Sequence, residues 1–193
     1  MPPRLQEDTS AMDEPELLLR LRRDDDAAFA AVFREHYPGL VAASERVLGD
    51  RAAAEDAAQE VMLELWRRRQ TLPADVSLRA YLHQSARNRA LNQIRHARVA
   101  REGEPHIRAP TAAPPTDAGA RTGELETAMR SAVAELPEDV RETFQMSRVD
   151  ALTYPEIARV LEISVKTVEA RMGRALKLLR ERLAPWLPEG GGW

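Results

Sequence analysis

Cysteine is absent from the 193 residues, which excludes a disulfide framework and any thiolate metal centre. The four histidines, His36, His83, His96 and His106, stand at no metal-ligand spacing, and no glycine-rich loop precedes a helix to cradle a phosphate. The Gly190-Gly191-Gly192 run is terminal and reads as a frayed end. A chain without enzymatic chemistry, metal or cofactor is the expectation. No apolar run approaches the ~20 residues that a bilayer requires. The start, Met1 to Asp8, lacks the apolar core of a signal peptide, so a cytoplasmic protein is expected. No segment alternates long enough for a sheet, while Ala, Leu, Arg and Glu dominate. The predicted class is all-α.

The formal net charge of −3 conceals a polarised chain. Residues 1–26 carry acids at 7, 8, 13, 14, 16, 24, 25 and 26 against bases at 4, 20, 22 and 23. Residues 67–102 carry arginine at 67, 68, 69, 79, 87, 89, 95, 98 and 101 against acids at 75 and 102. Charge distribution therefore says more about partners than the total does. Between Gly103 and Gly123 lie Pro105, Pro110, Pro114 and Pro115 with no apolar period, the composition of a linker. Five segments result: an acidic, flexible start (1–25), a helical domain (26–100), a linker (101–124), a second helical domain (125–184) and a tail (185–193). Extended from Glu102 to Glu124, the linker reaches roughly 75 Å at about 3.3 Å per residue, which predicts two domains that move independently.

In the first domain the apolar spacing predicts a helix over Asp26–His36 and another over Pro38–Leu48, interrupted at Pro38. Gly49 suits the position after a helix end and Asp50 caps the next helix, Arg51–Arg69. That helix turns Ala54, Ala58, Val61, Met62, Leu65 and Trp66 inward and Glu55, Asp56, Gln59, Glu60 and Glu64 outward. Residues 70–78 read as a loop with Ser77 as a cap. A long helix follows to Ala100, with Tyr81, Leu82, Ser85, Leu91 and Ile94 inward. Its arginines, interleaved with Asn88, Asn92 and Gln93, suit phosphate contacts and hydrogen bonds to bases. His83 and His96 are expected on the surface or toward DNA.

The second domain holds the strongest signal, the stretch Leu152–Glu169. Thr153 and Glu156 form a capping box, Pro155 sits in a first turn, and Ala158 is small where helices cross. Ile163 reads as a buried turn residue and Ser164 as the cap of a second helix. On that helix Val165, Val168, Met172, Ala175, Leu179 and Leu183 make an inward stripe, opposite Lys166, Thr167, Arg171, Arg174 and Lys177. This is the pattern of a helix-turn-helix DNA reader whose second helix enters the major groove. An ordinary helical hairpin with a solvated face is the plainer alternative.

Three motifs resemble the extracytoplasmic-function sigma factors, the smallest sigma-70-type promoter-specificity subunits of bacterial RNA polymerase. GDRAAAEDAAQEVMLELW (Gly49–Trp66) is similar to their region 2.2, and SLRAYLHQSARNRALNQIR (Ser77–Arg95) to regions 2.3 and 2.4. ELPEDVRETF (Glu135–Phe144), continued to Leu183, is similar to region 4. The resemblance implies that Asp56, Gln59, Glu60 and Leu63 meet the clamp helices of the polymerase β′ subunit, and that the second domain docks near the β flap. It implies that the loop Leu72–Leu78 holds a flipped base of the −10 element, with Leu72, Ser77, Arg79, Arg87, Asn88, Asn92 and Arg95 contacting DNA. It implies that Lys166, Thr167, Glu169, Ala170, Arg171, Gly173, Arg174 and Lys177 read the −35 element. Glu169 and Gly173 depart from the more arginine-rich recognition helices of some relatives; Glu169 either accepts from a cytosine amino group or pairs with a neighbouring arginine. The expected partners are core RNA polymerase, promoter DNA and an anti-sigma factor that holds the chain at the membrane face, with no small-molecule substrate. Two rivals stand beside this reading. One is an autonomous helix-turn-helix regulator whose first domain senses or dimerises; the other, more distant, is an enzyme with an accessory DNA-binding tail. For the tail, with Trp186 and Trp193, a disordered end and a partner contact are both open.

Overall fold

The computed structural model describes residues 14–73, 76–101 and 122–186. Every regular element among them is helical, and the chain divides into two compact units, Met1–Gly103 and Glu104–Trp193. The predicted linker, apart from its first residue and residues 122–124, lies outside the described residues.

The N-terminal unit contains α1 (Glu14–Arg22), α2 (Asp26–Leu48), α3 (Arg51–Arg68) and α4 (Leu78–Arg101). The flexible acidic start predicted over residues 1–25 is corrected for its second half. Leu17, Leu18 and Leu21 fall on one face of α1 and are buried in the core with Val32, Leu40, Val61, Met62 and Leu82. Burying a leucine contributes about 1.5–3 kcal/mol, enough to hold a short helix whose acids all face water. Residues 1–13 lie outside the described residues.

The break expected at Pro38 is a second correction, because α2 runs through it from Asp26 to Leu48. Proline there removes one backbone bond at about 3 kcal/mol. Val32 before it and Leu40 and Val41 after it are all buried, and a continuous axis keeps all three in one core. Asp25 caps α2, its Oδ1 accepting from the N–H groups of Ala27 (2.9 Å) and Ala28 (3.1 Å). Gly49, at φ 69°, closes it in the left-handed region, and Asp50 accepts the Ala53 N–H at 2.9 Å to open α3. Ser77 Oγ accepts the Ala80 N–H at 3.2 Å and opens α4 as expected. On α4 the buried residues are Leu78, Ala80, Leu82, His83, Ala86 and Ala90. Ile94, expected inward, is exposed, and His83, expected outward, is 7% exposed. A smaller, alanine-based seam is what α4 presents to its neighbours.

The C-terminal unit contains α5 (Thr122–Ala134), α6 (Glu138–Arg148), α7 (Tyr154–Leu161) and α8 (Val165–Leu183), followed by a 3-10 turn, Ala184–Trp186. Helix α5 begins three residues before the expected domain start and includes Gly123. α8 is the hub against which α5, α6 and α7 pack. Ala175, Leu179 and Leu183 meet Ala132, Leu136 and Val140, and Val168 and Met172 are buried nearer its start. The capping box of α7 is formed, with Thr153 N–H donating to Glu156 at 2.8 Å and Glu156 N–H to Thr153 Oγ1 at 3.4 Å. The turn closes through Glu162, a non-glycine residue at φ 56° whose N–H reaches the carbonyls of Ala158 and Arg159. Ser164 Oγ then accepts the Thr167 N–H at 3.1 Å. Val165, expected in the inward stripe, is 39% exposed because it occupies the first position beyond that cap. Ile163, expected buried, is half-buried.

Candidate polymerase and promoter interfaces

On α8 the inward stripe leaves Lys166, Glu169, Ala170, Gly173, Arg174 and Lys177 exposed on the remaining face. Thr167 is half-buried, its hydroxyl 2.8 Å from that of Ser164, so it belongs to the cap as much as to the surface. Arg171 departs from the expected outward set. Its side chain is only 24% exposed and its Nε lies 3.3 Å from Asp139 Oδ2 at the start of α6. A half-exposed ion pair of this kind is worth at most about 1 kcal/mol, so it biases the arginine without locking it. What the face offers is a helix N-terminus, cations along one side, and near its middle a residue with no side chain.

On α3, Asp56, Gln59, Glu60 and Leu63 share one face at spacings of three, four and seven, and all are exposed, Leu63 at 51%. An exposed leucine among carboxylates is what a protein partner, rather than water alone, can use. Gln59 Nε2 reaches Tyr37 Oη at 3.5 Å, the limit of a hydrogen bond. Glu60 is salt-bridged to Arg89 of α4, a contact that sequence reasoning missed because it joins two faces assigned to different partners. Glu64 holds Arg68 and lies 3.8 Å from Arg67.

Between α3 and α4 runs an open groove of about 600 Å³, whose walls include Glu60, Glu64, Asn88, Arg89, Asn92 and His96. Asn88 and Asn92 lie one turn apart and exposed, and Arg95 donates to Asn92 Oδ1 at 3.2 Å. His96 is exposed, as expected. Arg87 is half-buried, and Arg79 lies 3.6 Å from Glu35 of α2. Ser77 is occupied as a cap. Leu72 is a correction: its side chain is 6% exposed within the apolar core, so it cannot meet a base without unpacking the unit. Its carbonyl instead accepts from Arg22.

His36 of α2 is a further group that periodicity passed over. Burial, the largest influence, lowers its pKa below the usual histidine range; Glu35 and Glu14 oppose the shift and Arg79 adds to it. Trp66, expected as a core anchor, is half-buried against Phe29 at 5.0 Å between ring centres, with the Arg69 guanidinium 4.0 Å from its ring centre. Among the described residues no cluster of three or more His, Cys, Asp or Glu could hold a metal ion. No described helix is long and apolar enough to cross a membrane.

Residues 32–99 match the family model of sigma-70 region 2, and residues 126–179 that of sigma-70 region 4. The chain is 30% identical over 186 residues to the ECF RNA polymerase sigma factor SigK of Mycobacterium bovis, covering 94% of this chain and 97% of that one. It is 27% identical over 188 residues to the RNA polymerase sigma-H factor of Pseudomonas aeruginosa, covering 91% and 96%. Two solved structures share the fold. CnrH, in complex with the cytosolic domain of CnrY, has a TM-score of 0.62 at 22% identity over 89% of this chain and 97% of its own. The sigma factor RpoE of Bartonella quintana, with the anti-sigma factor NepR, has a TM-score of 0.60 at 20% identity over 81% and 96%. A region 2 module in the N-terminal unit displaces the sensing-domain and enzyme alternatives, because sigma factors are non-catalytic polymerase subunits. The chain belongs to the extracytoplasmic-function sigma factors of the sigma-70 family, which recognise promoters for RNA polymerase at the initiation of transcription.

Proposed function

We propose the following division of labour among this sigma factor's surfaces. The exposed α3 face of Asp56, Gln59 and Leu63, with Glu60 beside it, docks on the clamp helices of the polymerase β′ subunit. The α4 face of Arg87, Asn88, Asn92 and Arg95, with Ser77 and Arg79 at its start, meets the −10 element. The α8 face reads the −35 element, with the C-terminal unit seated at the β flap. The observation that carries this reading is the two-sidedness of α8: every fully buried residue is apolar, and the opposite face keeps Lys166, Arg174 and Lys177 in water beside Glu169, Ala170 and Gly173. A helix so divided fits the major groove with its cations against phosphates and its short side chains against base edges. Arg171 joins this set when the Asp139 contact opens.

The anti-sigma factors in the CnrH and RpoE complexes support an anti-sigma partner for this chain too. A cytoplasmic location, with sequestration at the inner membrane face, follows from that reading.

Reconstituted holoenzyme tests the division. Asp56→Arg with Leu63→Ala should abolish capture of core polymerase while helical content stays unchanged; Glu60 is left alone because Glu60→Arg would face Arg89 with a second cation. Lys177→Ala should weaken all promoters alike and lower the salt slope by about one unit. Arg174→Ala should cost roughly 1–3 kcal/mol at one −35 position. Undiminished capture by the α3 variant, or an Arg174→Ala effect independent of the −35 sequence, overturns the corresponding assignment. The free chain should bind duplex promoter weakly, since its acidic α3 face opposes phosphate.

A further inference from the structure

We infer that α1 and the turn after it set how sharply the −10 element is read, by holding both ends of the connection between α3 and α4. This rests on the assignment of the α4 face, with Ser77 and Arg79 at its start, to the −10 element. Three polar arms leave the α1 segment, each ending on the connection. Glu14 Oε1 accepts the backbone N–H of Leu78, the first residue of α4, at 2.6 Å. Arg22 donates to the carbonyl of Leu72. Asp24 Oδ1 accepts from Arg69 Nε at 2.5 Å and lies 3.5 Å from Gln70 Nε2.

These arms are long-range in sequence and short in space. The α3 end is held at Arg69, Gln70 and Leu72, and the α4 end at Leu78. Arg69 is held further by stacking on Trp66 and donating to its carbonyl. The first turn of α4 thus has two caps, Ser77 from its own chain and Glu14 from α1. Asp24 reaches its place through a left-handed backbone, φ 59°, a conformation that aspartate tolerates better than most residues. Leu17, Leu18 and Leu21 anchor the helix from which the arms extend.

Glu14 and Asp24 themselves are exposed, so neither is needed to fill the core. Exposed pairs contribute little to stability, yet a recognition site must be held to about 0.5 Å to discriminate. Glu14, Arg22 and Asp24 are therefore positioning residues for promoter reading. They touch no DNA in this scheme; they keep the start of α4, with Ser77 and Arg79, in register.

The test uses holoenzyme carrying Glu14→Ala, Arg22→Met and Asp24→Asn, singly and together. Run-off transcription is measured on a promoter selected by this sigma factor, then with each −10 base and each −35 base replaced. The triple variant should lose about tenfold in −10 discrimination, the lower part of what one base contact confers. Its −35 discrimination and its capture of core polymerase should be unchanged, and Arg22→Lys, which keeps a donor, should retain more discrimination than Arg22→Met. Activity falling equally on all promoters, in step with a lowered melting temperature, would mean a merely structural role and overturns the inference. So does −10 discrimination that stays within about twofold of the parent while Asn88→Ala lowers it, an outcome that leaves the −10 assignment standing. If Asn88→Ala and Asn92→Ala also leave −10 discrimination intact, the assignment itself fails and the inference with it.

Discussion

On the proposed reading the two units solve the same problem, holding a polar helix face toward a nucleic acid, by different means. In the C-terminal unit one helix does both jobs: α8 buries Val168, Met172, Ala175, Leu179 and Leu183 and turns Lys166, Glu169, Ala170, Gly173, Arg174 and Lys177 outward. Its caps are local, the Thr153–Glu156 box and the Ser164 cap, and the ion pairs Arg171–Asp139 and Arg182–Glu135 only add to that core. In the N-terminal unit the charged faces are tied to one another across helices, Glu60 to Arg89, Arg79 to Glu35 and Arg69 to Asp24. A surface of the first kind is preorganised by its core, whereas one of the second kind is poised by ion pairs that a partner can exchange for its own.

Core substitutions give the largest effects and test whether the N-terminal unit owns α1. Leu21→Ala, at a fully buried position, should destabilise by about 2–5 kcal/mol, as Met172→Ala should in the other unit. Urea unfolding that shows under about 0.5 kcal/mol for Leu21→Ala would return α1 to the status of a tail. Next in size is the local device of the C-terminal unit: Thr153→Ala removes a formed capping box and should cost about 0.5–2 kcal/mol. Smaller again are the cross-helix pairs. Double-mutant cycles for Glu60–Arg89 and Arg171–Asp139 should each give no more than about 1 kcal/mol, declining with added salt. A salt-independent coupling well above that would make the N-terminal faces rigid rather than exchangeable.

The smallest effect is a pH dependence confined to the N-terminal unit. The folded pKa of His36 is lowered, so as pH falls below about 6.5 the unfolded chain takes up a proton that the folded one resists. Stability should therefore be fully present above that value and decline as pH falls toward the lowered folded pKa. Replacing His36 with glutamine should flatten this part of a melting-temperature profile, with the Glu35, Arg79 and Glu14 neighbours left in place. A second decline, at lower pH, should come from Asp25, whose pKa is lowered chiefly by its hydrogen bond from Arg20; that contribution is present above the ordinary carboxylate range and is lost as the folded carboxyl protonates.

What could be read from sequence tracks the same divide. The C-terminal unit was legible because its determinants are close in the chain: a capping box spans three residues, and an apolar stripe repeats every three or four. The misplacement of Val165 is an end effect of one position. In the N-terminal unit the caps at Asp50 and Ser77 were legible for the same reason. The continuity of α2 through Pro38 was not, because local propensity opposes it and only the core on both sides outweighs it. α1 was obscured by the acids on either side of it, while its own leucines keep helical spacing. The burial of Leu72 and the pairing of Glu60 with Arg89 depend on contacts between distant segments, for which no spacing rule exists.

Gly173 lies mid-helix on the outward face of α8, and a Cβ built there meets nothing within 4 Å. Glycine in a helix interior is less favourable than alanine by about 1 kcal/mol, so nearly any side chain added there should leave the fold as stable or more so. On the proposed reading it also stands over the bases. One position can therefore change which promoters are served without endangering the protein, and a regulon could drift or split through single codon changes at this point. A library of all substitutions at residue 173, selected against randomised −35 sequences, would show how much of that repertoire is within reach.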